Sequence, residues 1–262
     1  MQNNDFHRTR EKKNSNLIYG IRAVTEAINN EKDIDKVVFQ RGISGPIFKE
    51  LFALVRERNI PFQYVPIERL NRYTHGNHQG VVAFVSPIPY QSIYDILPCI
   101  YENGRVPFLL LLDRITDVRN MGAIVRSAEC AGVDAVIIPS KNSAQINEDA
   151  VKTSAGALFS TPICRHDNLV EIVEYLQQSG IQVLGSNEKA TNICYDINFT
   201  LPTCIVMGNE YEGIAPVLAQ SCDNMIRIPM ADNTSIESLN VSVATGIMLF
   251  EVCRQRSIKV QK

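Results

Sequence analysis

The chain has 262 residues, 45% of them hydrophobic and 21% charged, with a formal net charge of −2. This composition excludes a disordered, collagen-like or low-complexity chain, and the length suits one large domain or two smaller ones. No apolar run approaches the ~18 residues of a membrane span, and the polar opening MQNNDFHRTREKKNSN lacks the apolar stretch of a secretory signal.

In chain order, residues 1–16 mix basic and amide side chains without a period and read as a flexible tail. From Leu17 to Val85, helical and strand patterns alternate. Ile18, Ile21, Val24, Ala27 and Ile28 fall at helical spacing, KVVFQ (36–40) reads as a strand, and Ile47, Phe48, Leu51, Leu54 and Val55 are helical again. PFQYV (61–65), a short helix from Ile67 to Arg72 and GVVAFV (80–85) complete a compact α/β unit over 17–85. Residues 1–85 carry 13 Lys and Arg against 9 Asp and Glu, whereas 86–262 carry 13 against 19. The first part is therefore the side better suited to a polyanion. Residues 86–107 hold four prolines and no sustained period, so 86–106 reads as a linker with one short helical piece.

Beyond it, over 107–262, the strands become continuous apolar runs: FLLLLD (108–113), AVIIP (135–139), IQVLGS (181–186), TCIVMG (203–208) and MIRIPM (225–230). Strands apolar on both faces belong in a parallel sheet covered by helices. Helices are expected over Met121–Ala131, Asn147–Leu158, Leu169–Ser179, Pro216–Ser221 and Leu239–Arg256, giving a doubly wound α/β domain. The seven cysteines form no CxxC and stand apart from the four histidines. They point to reduced thiols in a cytoplasmic protein, with neither a disulfide framework nor a metal site.

Ligands in such sheets sit beyond the carboxyl ends of strands, and three strand-to-loop junctions there carry polar clusters. In LLDRITDVRNMGAIVRSAECAG (111–132), Asn120 occupies an N-cap-like position, Gly122 lets another backbone approach, and Arg126 follows beside an apolar face. In IVMGNEYEGI (205–214), Gly208 and Gly213 bracket Asn209, Glu210 and Glu212. No P-loop lysine follows, and GxGxxG is absent from the chain. In IRIPMADNTSIESLNVSVATGIMLFE (226–251), a strand ends at Ile228-Pro229-Met230, and Ser238, Asn240 and Ser242 fall within one helical turn. Capping accounts for Ser238 but not for Asn240 and Ser242 beside it.

Taken together, these junctions resemble the three motifs of the SpoU (TrmH) family of RNA ribose 2′-O-methyltransferases, from Phe108 to about Arg256. GIRAVTEAI (20–28) and HQGVVA (78–83) are similar to the L30e-like substrate-binding domain of one branch of that family. The chain departs from the pattern at Tyr211, where the family usually has glycine between the two glutamates, and in the loop ADNTSIE (231–237).

The resemblance implies an L30e-like α/β domain followed by a trefoil-knotted parallel-sheet (SPOUT) methyltransferase domain, and a homodimer whose active site draws on both subunits. It implies S-adenosylmethionine as cofactor, without metal, held by Gly208, Ile228 and Leu239 together with Met207, Asn209, Pro229 and Leu184, the Leu184–Asn187 loop lying nearby. Arg126, Asn120, Glu210, Ser238 and Asn240 become the catalytic set. A guanidinium is a poor base, so Arg126 is expected to stabilise the developing alkoxide or clamp a phosphate, with Glu210 pairing with it or accepting a proton. An RNA substrate follows, a guanosine of 23S rRNA before tRNA. Two other classes stay open: an RNA-binding module without activity, which the three motifs disfavour, and a dinucleotide enzyme, which the missing glycine fingerprint disfavours.

Overall fold

The computed structural model describes residues 16–231 and 238–260. Apart from Asn16 and Ala231, the expected tail and the 231–237 loop lie outside the described residues. The chain falls into two compact units that part between Val85 and Ser86.

In the first unit, β1 (Leu17–Tyr19), β2 (Ile34–Gln40), β3 (Phe62–Val65) and β4 (Val81–Val85) form a sheet of order β1-β4-β2-β3. Strand β3 runs parallel to β2, and β4 antiparallel to β1 and β2. Helices α1 (Ile21–Asn29) and α2 (Pro46–Glu57) cover one face, burying Val24, Ile28, Phe48, Leu51 and Val55 against Val37 and Phe39. Helix α3 (Ile67–Tyr73) covers part of the other face through Leu70. Ile18, read above with the first helix, belongs instead to β1. Gly20 turns the chain at φ +92°, a conformation open to glycine, and the helix starts only after it.

The second unit contains a seven-stranded sheet in which every pairing is parallel, of order β7-β6-β5-β10-β8-β11-β9. Its strands are β5 (Phe108–Leu112), β6 (Ala135–Pro139), β7 (Ile163–His166), β8 (Gln182–Ser186), β9 (Asn192–Ile193), β10 (Thr203–Met207) and β11 (Asn224–Arg227). The apolar runs are explained by a two-sided cover. Along β5, Phe108, Leu110 and Leu112 face one core while Leu109 and Leu111 face the other. The first core is closed by α5 (Val118–Cys130), α6 (Glu148–Thr153) and α9 (Val241–Val260), the second by α4 (Ile93–Glu102), α7 (Leu169–Gln178) and α8 (Pro216–Ser221). Each buried leucine contributes on the order of 2 kcal/mol.

Several expectations need correction. The stretch 86–106 is not a linker: Ile88 is buried in the first of these cores, and Ile93, Leu97 and Ile100 of α4 in the second. The prolines disguised it, although Pro98 is accommodated inside α4. The helix expected over 147–158 stops at Thr153, where Ala155 and Gly156 take positive φ. Strand β11 ends at Arg227, leaving Ile228-Pro229-Met230 as loop. Helix α9 begins at Val241, which places Leu239 and Asn240 ahead of it.

Candidate active site

The carboxyl ends of β10, β8 and β11 open onto a cleft lined by Met207, Gly208, Ile228, Leu239, Val241 and Ala244, with Ser186, Glu188, Asn209, Glu210 and Ser238 at its polar positions. The loop after β10 forms one wall. It is closed by a pair of backbone hydrogen bonds: the Asn209 N–H donates to Gly213 O at 3.0 Å, and the Gly213 N–H to Asn209 O at 2.8 Å. Gly213 takes φ +67° to make that turn. A Cβ on Gly208 would fall on the backbone of Gly213 and Ile214, so only glycine fits there.

A clamp that sequence reasoning missed fixes this loop from beside it. Asp113, buried at the end of β5, accepts the Ala215 N–H at 2.7 Å. Arg114 next to it pairs with Glu212, donates to Gly213 O at 3.1 Å, and has its own carbonyl bound by Asn209 Nδ2 at 3.0 Å. Burial pulls the Arg114 pKa down, but Asp113 and Glu212 outweigh it and hold the guanidinium above its ordinary range. Arg114 sits at φ 56°, a left-handed conformation that is strained for a side-chain-bearing residue. The position of Asp113 at the end of an apolar strand was the available signal. Its partners, about a hundred residues away, left none.

Helix α5 is capped by Asp117, whose carboxylate accepts the N–H groups of Arg119 at 2.7 Å and Asn120 at 2.9 Å. Asn120 is therefore not the cap, and its side chain is free for other work. Its Nδ2 donates to Glu210, and its Oδ1 accepts from Asn240 Nδ2 at 3.2 Å. Asn240, rather than Ser238, caps α9: its Oδ1 accepts the Ser242 N–H at 2.9 Å and the Ser242 hydroxyl at 2.6 Å. Capping thus explains Asn240 and Ser242 after all. Gly122 lets α6 approach, since a Cβ there would stand 2.7 Å from Ala150 O.

The structure brings Asn120, Glu210 and Asn240 together, and sets Met207, Gly208, Asn209, Ile228, Leu239 and Ser238 along the cleft. It does not bring in the rest. Leu184 is buried in the sheet core, and Ser186 and Glu188 line the cleft from that strand's end instead. Pro229 is not on the wall, whereas Met230 is. Arg126 is exposed and pairs with neither Glu210 nor any other side chain among the described residues. Six residues along α5 carry it about 9 Å along the axis and about 120° around from Asn120, so the two occupy different faces.

The cleft suits an adenosyl sulfonium. Its apolar walls from Ile228, Leu239, Val241 and Ala244 match a nucleobase, and the glycine-bounded loop exposes backbone without a phosphate cradle.

The SpoU rRNA Methylase family matches residues 107–250, and RNA 2′-O ribose methyltransferase substrate binding matches 17–91. The chain is 38% identical over 247 residues to the 23S rRNA (guanosine-2′-O-)-methyltransferase RlmB of Yersinia pestis, covering 94% of this chain and 99% of that protein. It is likewise 38% identical over 245 residues to the RlmB protein of Escherichia coli K12, covering 93% and 100%. Among solved structures it resembles the SpoU methyltransferase AviRb of Streptomyces viridochromogenes in complex with AdoMet, at TM-score 0.58 and 28% identity, covering 92% of this chain and 90% of that one.

Proposed function

The chain belongs to the SpoU rRNA methylase family and is an S-adenosylmethionine-dependent RNA ribose 2′-O-methyltransferase, and from that premise we propose that it methylates a guanosine of 23S rRNA. The observation that carries the reading is the meeting of all three junctions at Asn120, whose partner Glu210 lines the cleft beside apolar walls. Near full-length similarity to proteins named for 23S rRNA guanosine supports that substrate over tRNA.

Met207, Gly208, Asn209, Ile228 and Leu239 would hold the cofactor, which supplies an electrophilic methyl group when bound. The protein's own work is then to align the ribose and ease loss of the 2′-proton. Asn120 and Asn240 fix the Glu210 carboxylate at the rim, where it serves as hydrogen-bond acceptor for the hydroxyl. Arg126 supplies positive charge to the developing alkoxide or to a neighbouring phosphate. Because it lies on another face of α5 from Asn120, we assign it to the cleft of a second subunit. Val243 and Phe250, exposed one above the other on α9, support such a homodimer. The strand order, with β10 inserted between β5 and β8, accords with a trefoil-knotted domain. The first unit, 17–85, is taken to bind RNA, and the enzyme to act in the cytoplasm. No helix among the described residues is long and apolar enough to cross a membrane.

Calorimetry with S-adenosylmethionine in excess chelator tests the cofactor reading. Binding should persist unchanged, and its loss on chelation would replace the metal-free site with a metal-dependent one.

A further inference from the structure

Tyr211 is 93% exposed, ahead of Val217 at 65% and Phe159 at 64% among the large apolar side chains of the described residues. An isolated exposed apolar residue is ordinary. The seat of this one is not. It stands at the tip of the loop Asn209–Gly213, whose ends are closed by the two backbone hydrogen bonds described above. Asn209 Oδ1 also accepts the Tyr211 N–H at 2.9 Å and the Glu212 N–H at 3.3 Å. On either side, Glu210 is tied to Asn120 and Glu212 to Arg114. The backbone that carries the ring is thus pinned at six points, while the ring itself has no hydrogen bond or aromatic partner among the described residues.

Such an arrangement presents a planar apolar surface, already oriented, one residue from the carboxylate at the rim of the active site. Tyrosine has only two side-chain torsions to fix, so contact to its ring loses little entropy. The flanking carboxylates disfavour a phosphate backbone at the loop tip but not the neutral face of a base. We propose that Tyr211 is a stacking platform for a base of the RNA substrate next to the methylated ribose, a positioning residue that holds the strand while Asn120, Glu210 and Asn240 engage the sugar. The inference rests on the ribose methyltransferase reading above.

The chain contains no tryptophan, so Tyr211→Trp introduces a single reporter at the loop tip. On titration with a 23S rRNA transcript, its emission should be quenched by stacking, and S-adenosylmethionine alone should leave it unchanged. Tyr211→Ala should raise KM for the transcript by about 5- to 150-fold, the loss expected for one base–aromatic stack. Its kcat and cofactor affinity should stay near those of the parent, and Tyr211→Phe should restore KM. A parent enzyme that methylates the transcript, beside an unquenched tryptophan and an unchanged KM in Tyr211→Ala, would overturn the stacking role alone. A parent that transfers no methyl group would overturn the reading beneath it as well. If Tyr211→Ala instead shifts the sedimentation state while RNA affinity holds, the ring packs between two copies of the chain and the proposal is wrong.

Discussion

Asn120 and Asn240 stand 120 positions apart in the chain, yet the Nδ2 of Asn240 donates to the Oδ1 of Asn120 at 3.2 Å. The other end of the Asn120 amide donates to Glu210. A single side chain therefore ties the first turn of α5, the loop after β10 and the cap of α9 into one cluster. Each end of the amide is spoken for, and the orientation is fixed by chemistry: only the NH2 end can serve a carboxylate.

Removing that amide should loosen all three loops at once. Asn120→Ala deletes two hydrogen bonds worth about 1 kcal/mol each, so kcat/KM should fall by roughly 30-fold. Asn120→Asp keeps an acceptor for Asn240 but sets a carboxylate against Glu210. Its activity should lie below that of the alanine variant at neutral pH and climb as the pH drops and one of the pair takes a proton. Rate profiles of both variants from pH 5 to 8 check the ordering.

Arg126→Ala should lower the single-turnover rate by ~10²–10³, the usual loss for a stabiliser of developing charge, with cofactor affinity kept. Arg126→Lys should recover only part of it, since the planar fork is lost. If Arg126 serves the second subunit, mixing the Arg126→Ala and Asn120→Ala proteins should restore roughly a quarter of parental activity, because half of the dimers are mixed and each has one intact site. No gain on mixing would place Arg126 and Asn120 in the same site.

The boundary between the units predicts where the chain can be cut. A protein starting at Ser86 keeps Ile88 and α4 in their cores and should bind S-adenosylmethionine as the full chain does. It should bind RNA more weakly and with a shallower salt dependence, because the excess of basic side chains lies in the first unit. A start at position 91 would remove Ile88 and should melt at a lower temperature.

Burial, partly opposed by Asp167, holds the His166 imidazole below its ordinary pKa, and its Nε2 accepts the Ile93 N–H at 3.2 Å at the start of α4. The unfolded chain therefore binds this proton more readily than the folded one. The stabilisation is fully present above about pH 6.5 and is lost as the pH falls towards the folded value. His166→Gln keeps an acceptor that does not titrate and should flatten the thermal midpoint between pH 5 and 7 relative to the parent.

Much of this architecture was legible because burial writes itself into composition. Runs such as FLLLL (108–112) and TCIVM (203–207) could only be two-sided strands, and the three polar junctions lie at strand ends. What escaped has physical reasons. Strand β7 has only four residues, two apolar followed by arginine and histidine, so it shows no strand period, and β9 has two. Asn240 and Asp117 cap their helices from places where periodicity gives no sign, since a cap lies outside the helical repeat. The Arg114–Glu212 pair joins residues 98 apart, and pairing at that range is a property of the closed sheet. The pairing of Glu210 with Arg126 does not form, because Arg126 stands about 120° around α5 from Asn120 and Asn120 takes the Glu210 carboxylate instead.

This cluster of loops is expected to move a methyl group onto a ribose of 23S rRNA. Purified protein with S-adenosylmethionine labelled in the methyl group should modify 23S rRNA from a strain lacking the gene, and nuclease digestion should yield the label as 2′-O-methylguanosine at a single position. Label on a base, label confined to tRNA, or no transfer to 23S rRNA would contradict it.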